Sequence, residues 1–144
     1  MKIKSAYIAG PYSAPTRELE DKNIQIAALV AGNYIRQGWA VFCPHTHSCL
    51  IARDFGPDDW NTWLILDLYW LSKCDIVVFL PGWKESKGAS IEHMVARGLS
   101  KEIVYLEEAT NERLSYAPAE EHICSGTIEK RCTCKDPFDA GRCE

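Results

Sequence analysis

The sequence predicts an α/β fold: a doubly wound parallel sheet of four to five strands in a flavodoxin-like or Rossmann-like three-layer sandwich. Three features predict it. Residues 3–9 (IKSAYIA), 39–43 (WAVFC), 75–80 (DIVVFL) and 102–106 (EIVYL) are short, largely apolar runs, as expected of strands covered on both faces. Between them lie segments whose apolar residues recur at the three- and four-residue spacing of a helix. Gly10-Pro11, Pro44 and Pro81-Gly82 follow three of the runs, and proline ends a central strand because it donates no ladder hydrogen bond.

Each element follows from local chemistry. Over residues 17–37, Leu19, Ile24, Ala27, Ala28, Ala31, Tyr34 and Ile35 form one helical stripe, and Gly38 provides the C-terminal stop. Residues 44–57 read as a loop with a helical turn near 48–53. Asp58 or Asp59 caps a helix over residues 59–73, and a third helix covers 88–99. The order is β-α-β-α-β-α-β, so right-handed crossovers build a doubly wound sheet. Ligands bind such sheets beyond the carboxyl ends of the strands, which points to loops 10–16, 44–57 and 81–88 and the segment after 106.

Residues 1–106 form the α/β domain, and residues 107–144 a polar, aperiodic C-terminal tail rich in cysteine. A net charge of −4 argues against a nucleic-acid backbone as partner, which demands a clustered basic face. No apolar run has the length of a membrane span, and the first residues lack the apolar centre of a signal peptide. The expected location is cytoplasmic. Seven cysteines fit that expectation, because the number is odd and Cys43, Cys49 and Cys74 lie in or beside apolar segments. In the tail, His122, Cys124, Cys132, Cys134 and Cys143 bring soft ligands together within 22 residues. They read either as a structural zinc site or as a tail with exposed thiols.

Four segments carry candidate chemistry. Gly10, in Tyr7-Ile8-Ala9-Gly10-Pro11-Tyr12-Ser13, lets the backbone approach a ligand at the end of the first strand, or simply makes a tight strand-to-helix turn. Ser86 and Gly88 stand where a helix begins, and free N–H groups there favour an anion. Glu92 falls in the first turns of that helix, either solvated or aimed at the crevice. Asp67 shares a helical face with Trp60, Trp63, Leu64, Trp70 and Leu71, and a carboxylate on an apolar stripe is costly unless it is solvated, paired or functional. Two carboxylates and a tyrosine at one sheet edge suit glycosidic chemistry: one attacks or stabilises the anomeric carbon and the other protonates the leaving group. His45 and His47, at alternate positions of an extended segment, point the same way toward base, phosphate or a metal, or are hydrogen-bonded loop histidines.

At these residues the chain resembles the nucleoside 2-deoxyribosyltransferase-like superfamily, and within it the small, uncharacterised members common in phages and bacteria. The resemblance is carried by Tyr7 to Ser13, Val41-Phe42-Cys43-Pro44-His45-Thr46-His47, Trp60-Asn61-Thr62-Trp63, Asp67-Leu68 with Cys74-Asp75-Ile76-Val77-Val78, and Pro81-Gly82-Trp83 through Ser86-Lys87-Gly88-Ala89 to Glu92. It implies that residues 1–106 are a nucleoside- or nucleotide-binding domain, that Glu92 is the nucleophile on the sugar C1′, that Asp67 serves the departing base or the sugar, and that Tyr7 orients Glu92. Transferases of the superfamily carry an aspartate six residues before the glutamate. The related deoxynucleoside 5′-monophosphate N-hydrolases carry a serine there that contacts the phosphate, and this chain has Ser86. Its first loop, however, lacks the longer glycine-rich phosphate loop of those hydrolases.

The expected activity is therefore cleavage or transfer at the N-glycosidic bond of a deoxynucleoside or its 5′-monophosphate. The alternative is a non-catalytic nucleotide-binding sensor or regulatory protein of the same fold. Gly10, Pro11, Tyr12, Ser13, His45, His47, Ser86 and Gly88 are the expected substrate-binding residues. No cofactor is expected for catalysis, and structural zinc only in the tail. The expected partners are a small nucleoside or nucleotide and further copies of the chain in a homodimer or higher homo-oligomer, with no nucleic acid and no membrane.

Overall fold

A computed structural model of the chain describes residues 2–107. The tail readings, including the zinc ligands His122, Cys124, Cys132, Cys134 and Cys143, lie outside the described residues.

Four strands form one parallel sheet in the order β2-β1-β3-β4: β1 (Ser5–Ala9), β2 (Ala40–Phe42), β3 (Ile76–Phe79) and β4 (Glu102–Tyr105). The helices between them are α1 (Arg17–Arg36), α2 (Pro44–His47), α3 (Cys49–Asp54), α4 (Trp60–Lys73) and α5 (Lys87–Gly98), with a 3₁₀ turn at Trp83–Glu85. This is the doubly wound α/β arrangement that the alternation predicts. The chain winds one way from β1 to β2, then crosses back to β3 and continues to β4. The switch point therefore lies between β1 and β3, and a crevice opens at their carboxyl ends.

Strand alternation divides the core into two layers. Ala6 and Ile8 of β1 and Ile76 and Val78 of β3 face Ala27, Val30 and Ala31 of α1. Tyr7, Ala9, Val77 and Phe79 point to the opposite face, against Leu71 of α4 and Ala96 of α5. The two central strands are buried along almost their whole length, which is why they read as continuous apolar runs.

Helix boundaries follow their caps. The Thr16 hydroxyl accepts from the Leu19 N–H at the start of α1, and Gly38 follows its end at φ +85°, a left-handed conformation that glycine adopts without strain. Of the two aspartates expected to cap α4, Asp59 is the one used: its carboxylate accepts from the N–H groups of Asn61 and Thr62. Residues 44–57 are more ordered than a loop with one turn. Two short helices follow each other there, with Pro44 at the first position of α2, where its missing N–H costs nothing. Arg53 of α3 pairs with Asp21 of α1 at 2.9 Å, which holds this segment against the first helix.

Candidate functional site

A cleft of about 930 Å³ opens at the carboxyl ends of β1 and β3. Its lining comes from the first loop, from α2 and α3, and from the starts of α4 and α5.

Glu92 sits in the second turn of α5 and lines this cleft, yet only 6% of its surface is exposed. The phenol of Tyr7 donates a 2.5 Å hydrogen bond to its Oε1. Strand alternation makes this contact: Tyr7 points toward the α4/α5 layer, the layer that carries Glu92. Burial raises the Glu92 carboxyl to about 8; the Tyr7 bond pulls it down, and the neighbouring Asp67 pushes it further up. Burial also raises the Tyr7 phenol well above its ordinary value, with Glu92 and Asp67 adding to the rise. The phenol therefore stays a donor throughout the working pH range.

Asp67 lines the same cleft from α4, beside Trp63 and Leu64. Burial raises its carboxyl to about 7. Of the stripe read from the sequence, Trp60, Trp63, Leu64 and Asp67 line the cleft, while Leu71 is fully buried and Trp70 stacks on Phe42 at 4.9 Å. Two carboxyls raised toward neutrality by burial thus line one cleft, with pKa values in the range that acid–base chemistry uses.

The first loop brings Gly10, Pro11, Tyr12 and Ser13 to the cleft wall. Asn23 of α1 donates to the Tyr12 carbonyl at 3.1 Å and holds the loop in place. Gly10 has a physical reason the sequence reading lacked. A Cβ there would stand 2.7 Å from the Leu80 Cβ, so the close approach it permits is to β3's own continuation.

The two histidines part company. His45 is 4% exposed and lines the cleft; its Nε2–H donates to the Pro11 carbonyl at 2.8 Å, and Tyr12 meets the ring edge-on. Burial lowers its pKa, so the ring is neutral, and its buried Nδ1 has no hydrogen-bond partner. His47 lies outside the cleft: it is exposed, packs on Phe42 and contacts the Ser48 hydroxyl. The expectation that both point the same way is corrected, because residues 44–47 are helical rather than extended. Two residues apart on a helix is close to a half-turn, so the side chains diverge. Among the described residues, no group of three or more His, Cys, Asp or Glu is placed to hold a metal.

Ser86 caps α5, accepting from the Ala89 N–H at 3.3 Å, so the helix begins one residue earlier than its sequence suggests. Its hydroxyl proton is still available to a ligand, and Gly88 presents bare backbone with nothing within 4 Å of where a Cβ would stand. The sequence reading gave no separate role to Lys87, which lines the cleft with its ammonium 4.5 Å from the centre of the Trp60 ring. A lysine at the first position of a helix, where the dipole disfavours a cation, was the signal available in the sequence.

No helix among the described residues is long and apolar enough to cross a membrane. No curated protein matches the chain. Among solved structures, it is similar to the Clostridium botulinum CMP N-glycosidase BcmB, with a TM-score of 0.42 and 22% identity over 77% of this chain and 80% of that one. Residues 4–105 match the family model described as a domain of unknown function, DUF4406, and the chain belongs to that family.

Proposed function

We propose that this protein cleaves or transfers the N-glycosidic bond of a deoxynucleoside or deoxynucleoside 5′-monophosphate, with Glu92 as nucleophile. The observation that carries the reading is the hydrogen bond from Tyr7 to the cleft-lining Glu92, with Asp67 in the same cleft. The resemblance of the motif segments to the nucleoside 2-deoxyribosyltransferase-like superfamily supports it independently.

In the proposed reaction a carboxylate oxygen of Glu92 bonds to C1′ as the C1′–N bond breaks. The bonding pair leaves with the base, which takes a proton from the Asp67 carboxyl. Water or a second base then attacks C1′ of the glycosyl ester, gives a proton back to Asp67, and releases Glu92 as carboxylate. Tyr7 is a positioning residue: its O–H fixes one Glu92 oxygen and stabilises the ionised form against the cost of burial. The carboxyls supply nucleophile and acid, so this chemistry needs no cofactor. Ser86, at the start of α5, favours a 5′-monophosphate and hydrolysis.

A panel of deoxynucleosides and deoxynucleoside 5′-monophosphates, assayed for free base, tests the reading. Release that Glu92→Ala lowers by at least about a thousandfold is expected, as for loss of a covalent nucleophile. Adding a second base separates transfer from hydrolysis. No turnover with any substrate, together with nucleotide binding that Glu92→Ala leaves unchanged, would overturn the reading and favour a nucleotide sensor.

A further inference from the structure

The starts of α4 and α5 lie side by side in the cleft lining, and one contact joins them. Trp60 is the first residue of α4 and Lys87 the first of α5; both line the cleft, with the ammonium 4.5 Å from the ring centre. Among the described residues this ring is the only partner of the Lys87 ammonium, since the ion pairs are made by Lys2 and Arg53.

The position is electrostatically unfavourable for a lysine. The helix N-terminus carries partial positive charge, and the first turn of α5 has no acidic residue to balance it. The backbone N–H groups of Lys87 and Gly88 also lack partners among the described residues, because Ser86 satisfies those of Ala89 and Ser90. Glu85 lines the cleft as well, but its carboxylate lies toward Gly82, 4.0 Å from where a Cβ on that residue would stand. A cation, two free N–H groups and the open space at Gly88 thus share the start of α5.

A second polar group in the cleft wall lacks a partner. His45 is nine-tenths buried, holds its proton on Nε2, and keeps an unpartnered Nδ1 lone pair. A hydroxyl is the donor it lacks. A phosphorylated substrate supplies the anion that the start of α5 lacks.

We propose that Lys87 selects the 5′-monophosphate over the free nucleoside, exchanging the Trp60 ring for the phosphate when substrate binds. This rests on the N-glycosidic reading. The exchange is favourable because a cation on an exposed indole is held weakly, whereas charge-assisted bonds to phosphate are strong. Trp60 then loses its cation, so its emission reports the exchange.

Two measurements on the full-length protein test it. The first compares kcat/KM on a deoxynucleoside 5′-monophosphate and its parent deoxynucleoside in wild type, Lys87→Ala and Lys87→Arg. The ratio of the two should fall by about 10- to 100-fold in Lys87→Ala, mainly through KM, with Lys87→Arg restoring part of it. The second is tryptophan emission during titration with the monophosphate and with inorganic phosphate. A saturable change is expected, absent in Trp60→Phe and in Lys87→Ala, which has no cation to exchange. An unchanged kcat/KM ratio in Lys87→Ala sinks the proposal while base release continues to support the reaction. If no substrate releases base, calorimetric titration with the monophosphate decides alone: weaker binding in Lys87→Ala than in wild type upholds the cation's role, and equal binding ends it.

Discussion

At the residue scale, the chemistry depends on which carboxyl holds the proton. Glu92 titrates near 8 and Asp67 near 7, and the proposed reaction needs Glu92 ionised with Asp67 protonated. The minor arrangement of the shared proton is therefore the productive one, by about tenfold per unit of difference. We predict a bell-shaped dependence of kcat/KM on pH with limbs near 7 and 8. Tyr7→Phe removes the donor that favours ionised Glu92 and leaves the ring packing intact. The peak should drop by about 10- to 100-fold, and the upper limb should move to higher pH. A pH–rate profile over both variants reads this; a Tyr7→Phe profile superimposable on wild type would refute the positioning role.

At the element scale, the cleft is held by helix starts and by a tryptophan locked in place. The Trp63 indole donates to the Pro57 carbonyl at 2.8 Å and covers Gly56 so closely that a Cβ there would collide with the ring. The same Cβ would approach the Ile51 carbonyl to 3.0 Å, so the backbone blocks the other direction. Gly56→Ala must displace the indole and with it part of the cleft wall. We expect a raised KM for the nucleotide and a Tm lowered by roughly 5 °C, the shift that goes with about 1–2 kcal/mol of overpacking in a domain of this size. Calorimetry and kinetics on the one variant check both parts. The Asp59 cap is the partner device: Asp59→Ala frees the first N–H groups of α4 and should lower Tm by about 3 °C, while Asp59→Asn, which still accepts, should restore most of it.

At the scale of the whole molecule, the cleft carboxyls set the pH dependence of stability. Glu92 and Asp67 bind protons more tightly folded than unfolded, since their pKa values rise to about 8 and about 7. Their neutral forms cost nothing extra at pH 4, but each becomes a penalty as pH climbs through those values. Stability contributed by the pair is therefore lost between about pH 4 and pH 8. Asp75, whose carboxyl is lowered by the backbone and hydroxyl of Ser5, acts in the opposite sense and loses its contribution as pH falls below the ordinary aspartate range. We predict that Tm declines from pH 6 to pH 9, and that Glu92→Gln, which cannot ionise, flattens the decline and melts above wild type at pH 8.5. Thermal melts across that range settle it; parallel slopes in the two proteins would count against a protonated Glu92.

The sequence by itself determined the β-α-β-α-β-α-β order, the parallel sheet, the loops that line the cleft and the helix ends at Gly38 and Asp59, because each rests on periodicity or on a residue's local backbone chemistry. Gly38 and Asp59 act on neighbours a few residues away, and the apolar runs of β1 and β3 report burial directly. The tertiary structure alone decided the contacts made at long range. Tyr7 meets Glu92 across 85 residues because β1 and β3 are neighbours at the switch point and strand alternation turns Tyr7 to the α4/α5 face. His45 enters the cleft and His47 leaves it because Pro44–His47 coils, which a segment of four residues does not announce. Lys87 reaches Trp60 only once α4 and α5 pack side by side. Local order can be read from local sequence, but which side chains share a cleft depends on how the layers close around the sheet.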